Sequence, residues 1–155
     1  MEGSSPARLY SMLVGGVLVI AGVIGFFYAS GFDTGDSICA GDGCDKVFGI
    51  LGVNGWHNLV HILTGALGLI ALSYGYAAQR AYALYLGIIY IVVAFLGFID
   101  FGSGDFDDTI LKVIPVNTED NFLHLLIGIA AIGAGLATPA REGHGSAAHT
   151  AAGRA

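Results

Sequence analysis

The chain has 155 residues, of which 55% are apolar and only 12% charged, and its net charge is −6. A soluble domain needs roughly twice that charged fraction to cover its surface. The acidic balance also argues against nucleic-acid binding, which depends on basic side chains that neutralise phosphates.

Four long windows along the chain contain no Asp, Glu, Lys or Arg. Each supplies the roughly 20 apolar residues that a helix needs to cross the hydrocarbon of a lipid bilayer. The predicted helices lie at about 9–30, 55–76, 81–101 and 118–138. Residues 1–138 are therefore predicted to form one all-α domain, an integral membrane four-helix bundle.

The charged residues between the helices predict an orientation. Ten of the twelve acids lie in or beside the loops 31–54 and 102–117, whereas four of the six bases lie near the termini and the short middle connection. Basic residues collect on the cytoplasmic side of membrane proteins. We therefore expect a multi-pass protein of the cell membrane with both termini cytoplasmic. Residues 139–155, rich in Ala, Gly and Ser, are expected to be a disordered cytoplasmic tail.

Both cysteines, Cys39 and Cys44, lie in the loop predicted to be outside the cytoplasm. Two neighbouring cysteines in an oxidising compartment usually form a disulfide, and this is the favoured interpretation. Metal binding by the same pair, with Asp42 and Asp45 nearby, is the alternative.

An internal repeat is visible when the sequence is compared with itself. A shift of 63 places residues 45–68 on 108–131, and a shift of 72 places the first helix on the third, with Gly15 on Gly87 and Gly25 on Gly97. The chain is thus predicted to contain two parallel repeats of a two-helix unit, related by an axis along the membrane normal. Stripes of small residues on all four helices are predicted to face one another, since small residues let membrane helices approach closely.

These motifs resemble a known family, the bacterial membrane proteins that share domain of unknown function 4383. The resemblance covers about residues 9 to 138 and is carried by Val47–Leu51, Asn54, Asn58–Gly65, Gly68, Leu86–Gly87, Leu96–Phe98, Pro115–Asn117 and Asp120–His124. It implies four helices and a cell-membrane location, and it implies no activity.

Two asparagines and two Asn-x-x-His motifs are the main candidate site residues. Asn54 and Asn117 each precede a predicted helix, where Asn is a favoured N-cap. A spacing of three places Asn58 with His61, and Asn121 with His124, on one helix face. Both pairs are predicted to face the bundle interior at equal depth, and each Asn is expected to hydrogen-bond a His.

Three interpretations of this polar cluster compete. In the first interpretation, hydrogen bonds among the Asn and His side chains fix the packing of helices two and four. Alternatively, His57, His61, His124 and Asp120 bind zinc or another divalent first-row metal, for which imidazole and carboxylate are suitable ligands. In the third interpretation, His61 and His124 hold a b-type haem.

No pattern indicates an enzyme or names a catalytic residue. The membrane segments contain no nucleophile with its base, no phosphate-binding glycine loop and no carboxylate pair. We therefore predict a non-enzymatic structural or assembly component without a required cofactor. Its expected partners are the lipid bilayer and either a second copy or another membrane protein.

Overall fold

Four helices make up most of the computed structural model, which describes residues 4–38, 44–99 and 109–140. They are α1 (Pro6–Tyr28), α2 (Gly55–Ala71), α3 (Tyr76–Ile99) and α4 (Thr118–Ala137). Short 3₁₀ turns follow at Gly35–Ser37 and at Leu72–Tyr74, where the second turn continues α2. All four helices are long and apolar enough to cross a membrane. The prediction of an all-α membrane four-helix bundle is confirmed.

Helices α1 and α3 begin earlier than the sequence predicted. The Ser5 side chain accepts a hydrogen bond from the Arg8 amide, and Pro6 occupies the first helical position, where its missing N–H is not needed. Helix α3 begins directly after Gly75, whose φ of 80° favours glycine. Arg80 therefore lies inside α3, and the predicted loop at this position is wrong.

Two β-hairpins that the sequence did not predict precede α2 and α4. The first pairs β1 (Lys46–Val47) with β2 (Leu51–Gly52), and the second pairs β3 (Thr109–Ile110) with β4 (Ile114–Pro115). Positive φ angles occur at matching turn positions, namely Phe48 (53°), Gly49 (72°), Leu111 (55°) and Lys112 (53°). We call the end of the bundle that carries the hairpins the hairpin end, and the opposite end the terminal end.

The helices pack as two close pairs, α1 on α2 and α3 on α4. A Cβ added to Gly65 would lie 2.6 Å from the Gly15 carbonyl oxygen, and one added to Gly128 would lie 3.1 Å from that of Gly87. Real side chains essentially never come as close as the first distance. The predicted small-residue stripes therefore form the contact surfaces within each pair, because only small residues allow such close approach of two backbones.

The two pairs are joined at the terminal end by contacts between α1 and α4. The Tyr10 hydroxyl donates to the Ile127 carbonyl oxygen at 3.2 Å, and the Ala7 amide donates to the Thr138 hydroxyl at 2.9 Å. Around them lies the buried apolar core, formed by Ala7, Tyr10, Leu18, Ala83, Leu86, Tyr90 and Ala131.

Candidate functional site

The N-cap residues of α2 and α4 each connect a helix to the opposite hairpin. Asn54 accepts from the His57 amide at 2.9 Å and donates to the Val113 carbonyl oxygen at 2.8 Å. Asn117 accepts from the Asp120 amide at 2.9 Å and donates to the Ile50 carbonyl oxygen. Both predicted caps are thus N-caps in the structure, and each also links its helix to the other half of the chain.

His57 and Asp120 occupy equivalent positions in α2 and α4, and both bind Gly52. One Asp120 carboxylate oxygen accepts from the Gly52 amide at 2.8 Å and from the Asn117 amide at 3.1 Å. The His57 Nδ1 lies 2.8 Å from the Gly52 carbonyl oxygen, and the Pro115 carbonyl also approaches this ring. Because a carbonyl only accepts hydrogen bonds, the contact with Gly52 requires the proton on Nδ1.

Three imidazoles meet beneath the hairpins. The ring centroids of His57 and His61 are 4.4 Å apart, those of His57 and His124 are 5.9 Å apart, and those of His61 and His124 are 6.2 Å apart. One potential ligand nitrogen from each residue lies within 4.8 Å of the other two. His57 and His124 are buried, and His61 is half-buried. Helices α2 and α4 thus present their histidines to one another.

The Nδ1 atom of His124 has no hydrogen-bond partner among the described residues, although it is buried. The His124 side chain is 6% exposed, and the Tyr90 ring packs on it with a centroid separation of 5.0 Å. The Thr64 side chain lies near the Tyr90 hydroxyl. An unpaired polar atom at this depth costs about 1–3 kcal/mol, so a partner such as a bound ion would stabilise it.

The prediction that each Asn hydrogen-bonds a His is wrong. The Asn58 amide nitrogen donates to the Ala29 carbonyl oxygen at 2.7 Å, and its side-chain oxygen lies against Gly25. The Asn121 side-chain oxygen lies against Gly97 in the same manner. Ala29 caps the end of α1, where the carbonyl groups lack partners within the helix, and this unmet requirement attracts the Asn58 amide.

An apolar cavity of about 260 Å³ lies directly beside the three histidines. It separates α1 from α4 at the hairpin end, the end opposite to the Tyr10 and Thr138 contacts. Its walls are formed by Val17, Leu18, Ile20, Ala21, Ile24, Val47, Phe48, Leu51, Val53, Leu123 and Ile127, with His57, His61, Tyr90, Asp120 and His124 at its inner side. Val17, Ile20 and Phe48 are largely exposed, so the cavity opens on the lipid-facing surface of the bundle.

Sequence reasoning missed the cavity and the part played by Gly52. It also grouped Asp120 with the three histidines as a possible metal ligand. Asp120 lines the cavity, but its carboxylate is engaged with two backbone amides and does not belong to the group of converging ligand atoms. The shift of 63 residues that places 45–68 on 108–131 also places His57 on Asp120. This correspondence is the sequence signal that could have placed both residues at the hairpin contact.

Two other predictions fall partly or wholly outside the described residues. Cys44 is disulfide-bonded, whereas Cys39, the other cysteine of the proposed pair, lies outside the described ranges, as do residues 141–155 of the predicted tail.

Comparison with known proteins identifies a family. The family model described as Domain of unknown function (DUF4383) matches residues 8–137, which include all but the first two residues of the four helices, both hairpins and the three histidines. The chain belongs to the DUF4383 family. No curated protein and no solved structure matches this DUF4383 chain, so its site has to be interpreted from its own geometry.

Proposed function

We propose that this protein binds one divalent first-row metal ion, such as zinc, through His57, His61 and His124 inside the membrane. The convergence of three ligand nitrogens within 4.8 Å of one another is the observation that carries the proposal. Ionisable residues in membrane segments are rare and mark functional sites more often than structural ones.

The chemistry of the three residues suits such an ion. Zinc binds imidazole nitrogen at about 2.0–2.1 Å, so ligands of a tetrahedral ion are roughly 3.3 Å apart. Small side-chain rotations would bring the three nitrogens from their present separation into that range. The contact of His57 Nδ1 with the Gly52 carbonyl is also typical of metal-binding histidines, whose second nitrogen is held by a backbone oxygen.

The competing interpretation, a cluster held together by its own hydrogen bonds, is less well supported. Both asparagines contact α1 or α3 rather than the imidazoles, and His124 Nδ1 has no hydrogen-bond partner in the part of the chain that the structure describes. A buried network that served only packing would be expected to satisfy its polar atoms. A metal ion bound by α2 and α4 would itself join the two halves, so the proposal includes a structural, non-enzymatic role.

A b-type haem between His61 and His124 has less support than a single ion. The two ring centroids are 6.2 Å apart, but the His57 ring lies 4.4 Å and 5.9 Å from them. The macrocycle needs the space between its axial ligands, so His57 would have to leave its bond with Gly52.

The two halves are further proposed to be repeats of one unit. Asn54 donates to the Val113 carbonyl and Asn117 to the Ile50 carbonyl, and both donors and both acceptors are 63 residues apart. Such reciprocal bonds are expected across a pseudo-twofold axis. We also propose a cell-membrane location with both termini cytoplasmic, on the basis of the distribution of basic residues.

Metal binding is tested with protein purified through a histidine-free tag, depleted of metal and titrated with Zn²⁺ or Co²⁺. The parent for all measurements carries His144→Ala and His149→Ala, which removes the two histidines that lie outside the described residues. We expect one ion per chain. His61→Ala or His124→Ala should weaken binding by more than roughly 100-fold. Even the loss of a group that hydrogen-bonds a metal ligand weakens binding by about 10–100-fold.

Elemental analysis and the visible absorption of the Co²⁺ form report the result. Protein that stays folded but takes up no metal would contradict the proposal, as would variants that retain full binding. A Soret band in the protein as purified would favour haem instead. Asn58→Ala serves as a control. Asn58 is a buried polar residue of α2 that contacts α1 and not the histidines, so this variant should still bind one metal ion.

A further inference from the structure

We propose that the metal site takes a long-chain fatty acid from the bilayer, with the carboxylate on the ion and the acyl chain in the cavity between α1 and α4. The inference rests on the metal binding proposed above and adds the class of ligand that the site receives.

The first argument is charge. Three neutral imidazoles leave a divalent ion with its full charge of two, and Asp120 contributes the one carboxylate among the described residues lining the cavity. One positive charge therefore remains in a largely apolar environment. An unpaired charge in such surroundings is strongly unfavourable, and a monoanionic ligand on the ion would remove it.

The second argument is the coordination of the ion. Three protein ligands leave a tetrahedral ion with one position for an external ligand, as in catalytic zinc sites. All three histidines line the cavity, so this position is accessible from it. A carboxylate oxygen is a suitable fourth ligand for zinc.

The third argument is the shape and direction of the cavity. The histidines and the first hairpin lie at its hairpin end, and its walls continue along Ile20, Val17 and Ile127 towards the middle of the helices. His61 lies six residues into α2, about 9 Å below the helix start at 1.5 Å per residue. A fatty acid in a bilayer has the same arrangement, with its carboxylate near the interface and its chain pointing to the midplane.

The size of the cavity favours a single chain over a phospholipid. A cavity of about 150 Å³ takes up benzene, so 260 Å³ accommodates a carboxylate with several methylene groups. The remainder of the chain would lie among the lipids, past the exposed side chains of Val17 and Ile20. A phosphodiester head with two acyl chains is too bulky for this space.

The test measures equilibrium binding of radiolabelled oleate to the Zn²⁺-loaded and the metal-free protein in nanodiscs free of fatty acid. We expect saturable binding of one oleate per chain to the loaded form, competed by unlabelled oleate and not by methyl oleate, which has the same chain without the charge. The metal-free protein should bind oleate at least about tenfold more weakly, a difference of about 1.4 kcal/mol.

A variant that fills the cavity separates the two proposals. Ala21→Phe places a large side chain in the cavity wall and should abolish oleate binding while Zn²⁺ stoichiometry stays at one, which also shows that the variant is folded. Ile24→Phe is a second variant of the same design. Val23→Phe is the matched control, because Val23 is exposed on the same helix and does not line the cavity.

The outcomes are distinguishable. If Zn²⁺ binds and oleate does not, or if oleate binds equally with and without the ion, the fatty-acid inference is overturned and metal binding stands. If Zn²⁺ does not bind to the parent protein, the proposed function is overturned and the inference falls with it. Equal oleate binding by Ala21→Phe and the parent would show that the chain lies elsewhere.

Discussion

One asparagine in each helix pair lies where a glycine leaves space for it. The Asn58 side chain is fully buried and contacts Gly25 of α1, and the Asn121 side chain is 2% exposed and contacts Gly97 of α3. Lipid offers such amides no hydrogen-bond partner, so they are retained only where the protein surrounds them. The glycines at these positions therefore make room for a polar group, besides allowing the helices to approach.

We expect Gly25→Ala to destabilise the protein, because the new Cβ would overlap the Asn58 side-chain oxygen. Overpacking of this kind costs about 1–3 kcal/mol. Gly16→Ala is the matched control on the same helix, since an added Cβ there meets no atom of the described residues within 4 Å. Reversible unfolding in mixed micelles measures both changes. Equal stability of the two variants would show that Asn58 does not need the space at Gly25.

At the scale of elements, the two hairpins and the two helix N-termini form one connected unit. Asn54 and Asn117 each satisfy an amide at the start of their own helix and a carbonyl of the opposite hairpin. Gly52 is held through its amide by Asp120 and through its carbonyl by His57. The orientation of the His57 ring, and with it the third ligand of the proposed metal site, thus depends on the first hairpin.

Two substitutions of Asn54 should separate its two roles. Asn54→Ser keeps a capping oxygen but is too short to reach the Val113 carbonyl, and we expect a loss of about 0.5–1.5 kcal/mol for that hydrogen bond. Asn54→Ala removes the cap as well, which costs about a further 0.5–2 kcal/mol. The free energy of unfolding in detergent is the measurement.

Asn117→Ser provides the matched control in the other half of the chain. It should lose as much stability as Asn54→Ser, because the two residues make equivalent bonds to opposite hairpins. Unchanged stability in both serine variants would show that the bonds between the halves contribute nothing measurable.

At the scale of the whole molecule, the two helix pairs are joined at the terminal end and separated on one side at the hairpin end. Tyr10 and Thr138 hold α1 to α4 at one end, while the cavity divides the same two helices at the other. The cavity is thus a property of the whole bundle, and exposed apolar side chains such as Val17 and Ile20 line its opening.

The orientation in the membrane can be tested with single cysteines in a chain that lacks Cys39 and Cys44. Ser73 is exposed in the turn after α2, and Ser37 is exposed at the hairpin end. In intact cells we expect an impermeant thiol reagent to label Ser37→Cys and to spare Ser73→Cys. Four of the six basic residues of the sequence lie in the N-terminal segment, near the connection between α2 and α3 and in the C-terminal segment, and basic residues collect on the cytoplasmic side. The reverse labelling would invert the proposed topology.

Much of the fold could be predicted because its causes are local. A helix that crosses a bilayer needs about 20 residues without charge, and this requirement leaves four windows in the sequence. Asn54 and Asn117 could be predicted as caps because a cap acts within three residues of its own position. The hairpins were not predicted, since strands of two residues have too few positions to show an alternating pattern.

The sequence by itself determined the number of helices and the N-caps of α2 and α4, because length, charge and a spacing of three residues depend only on the chain. Only the tertiary structure decided that His57 joins the other two imidazoles, that Asn58 contacts Gly25, and that α1 and α4 separate beside them. The physical reason is that these contacts depend on how far each helix is rotated about its axis and on how its neighbours are placed. Packing across the whole bundle sets both quantities, and they leave no local pattern along the chain.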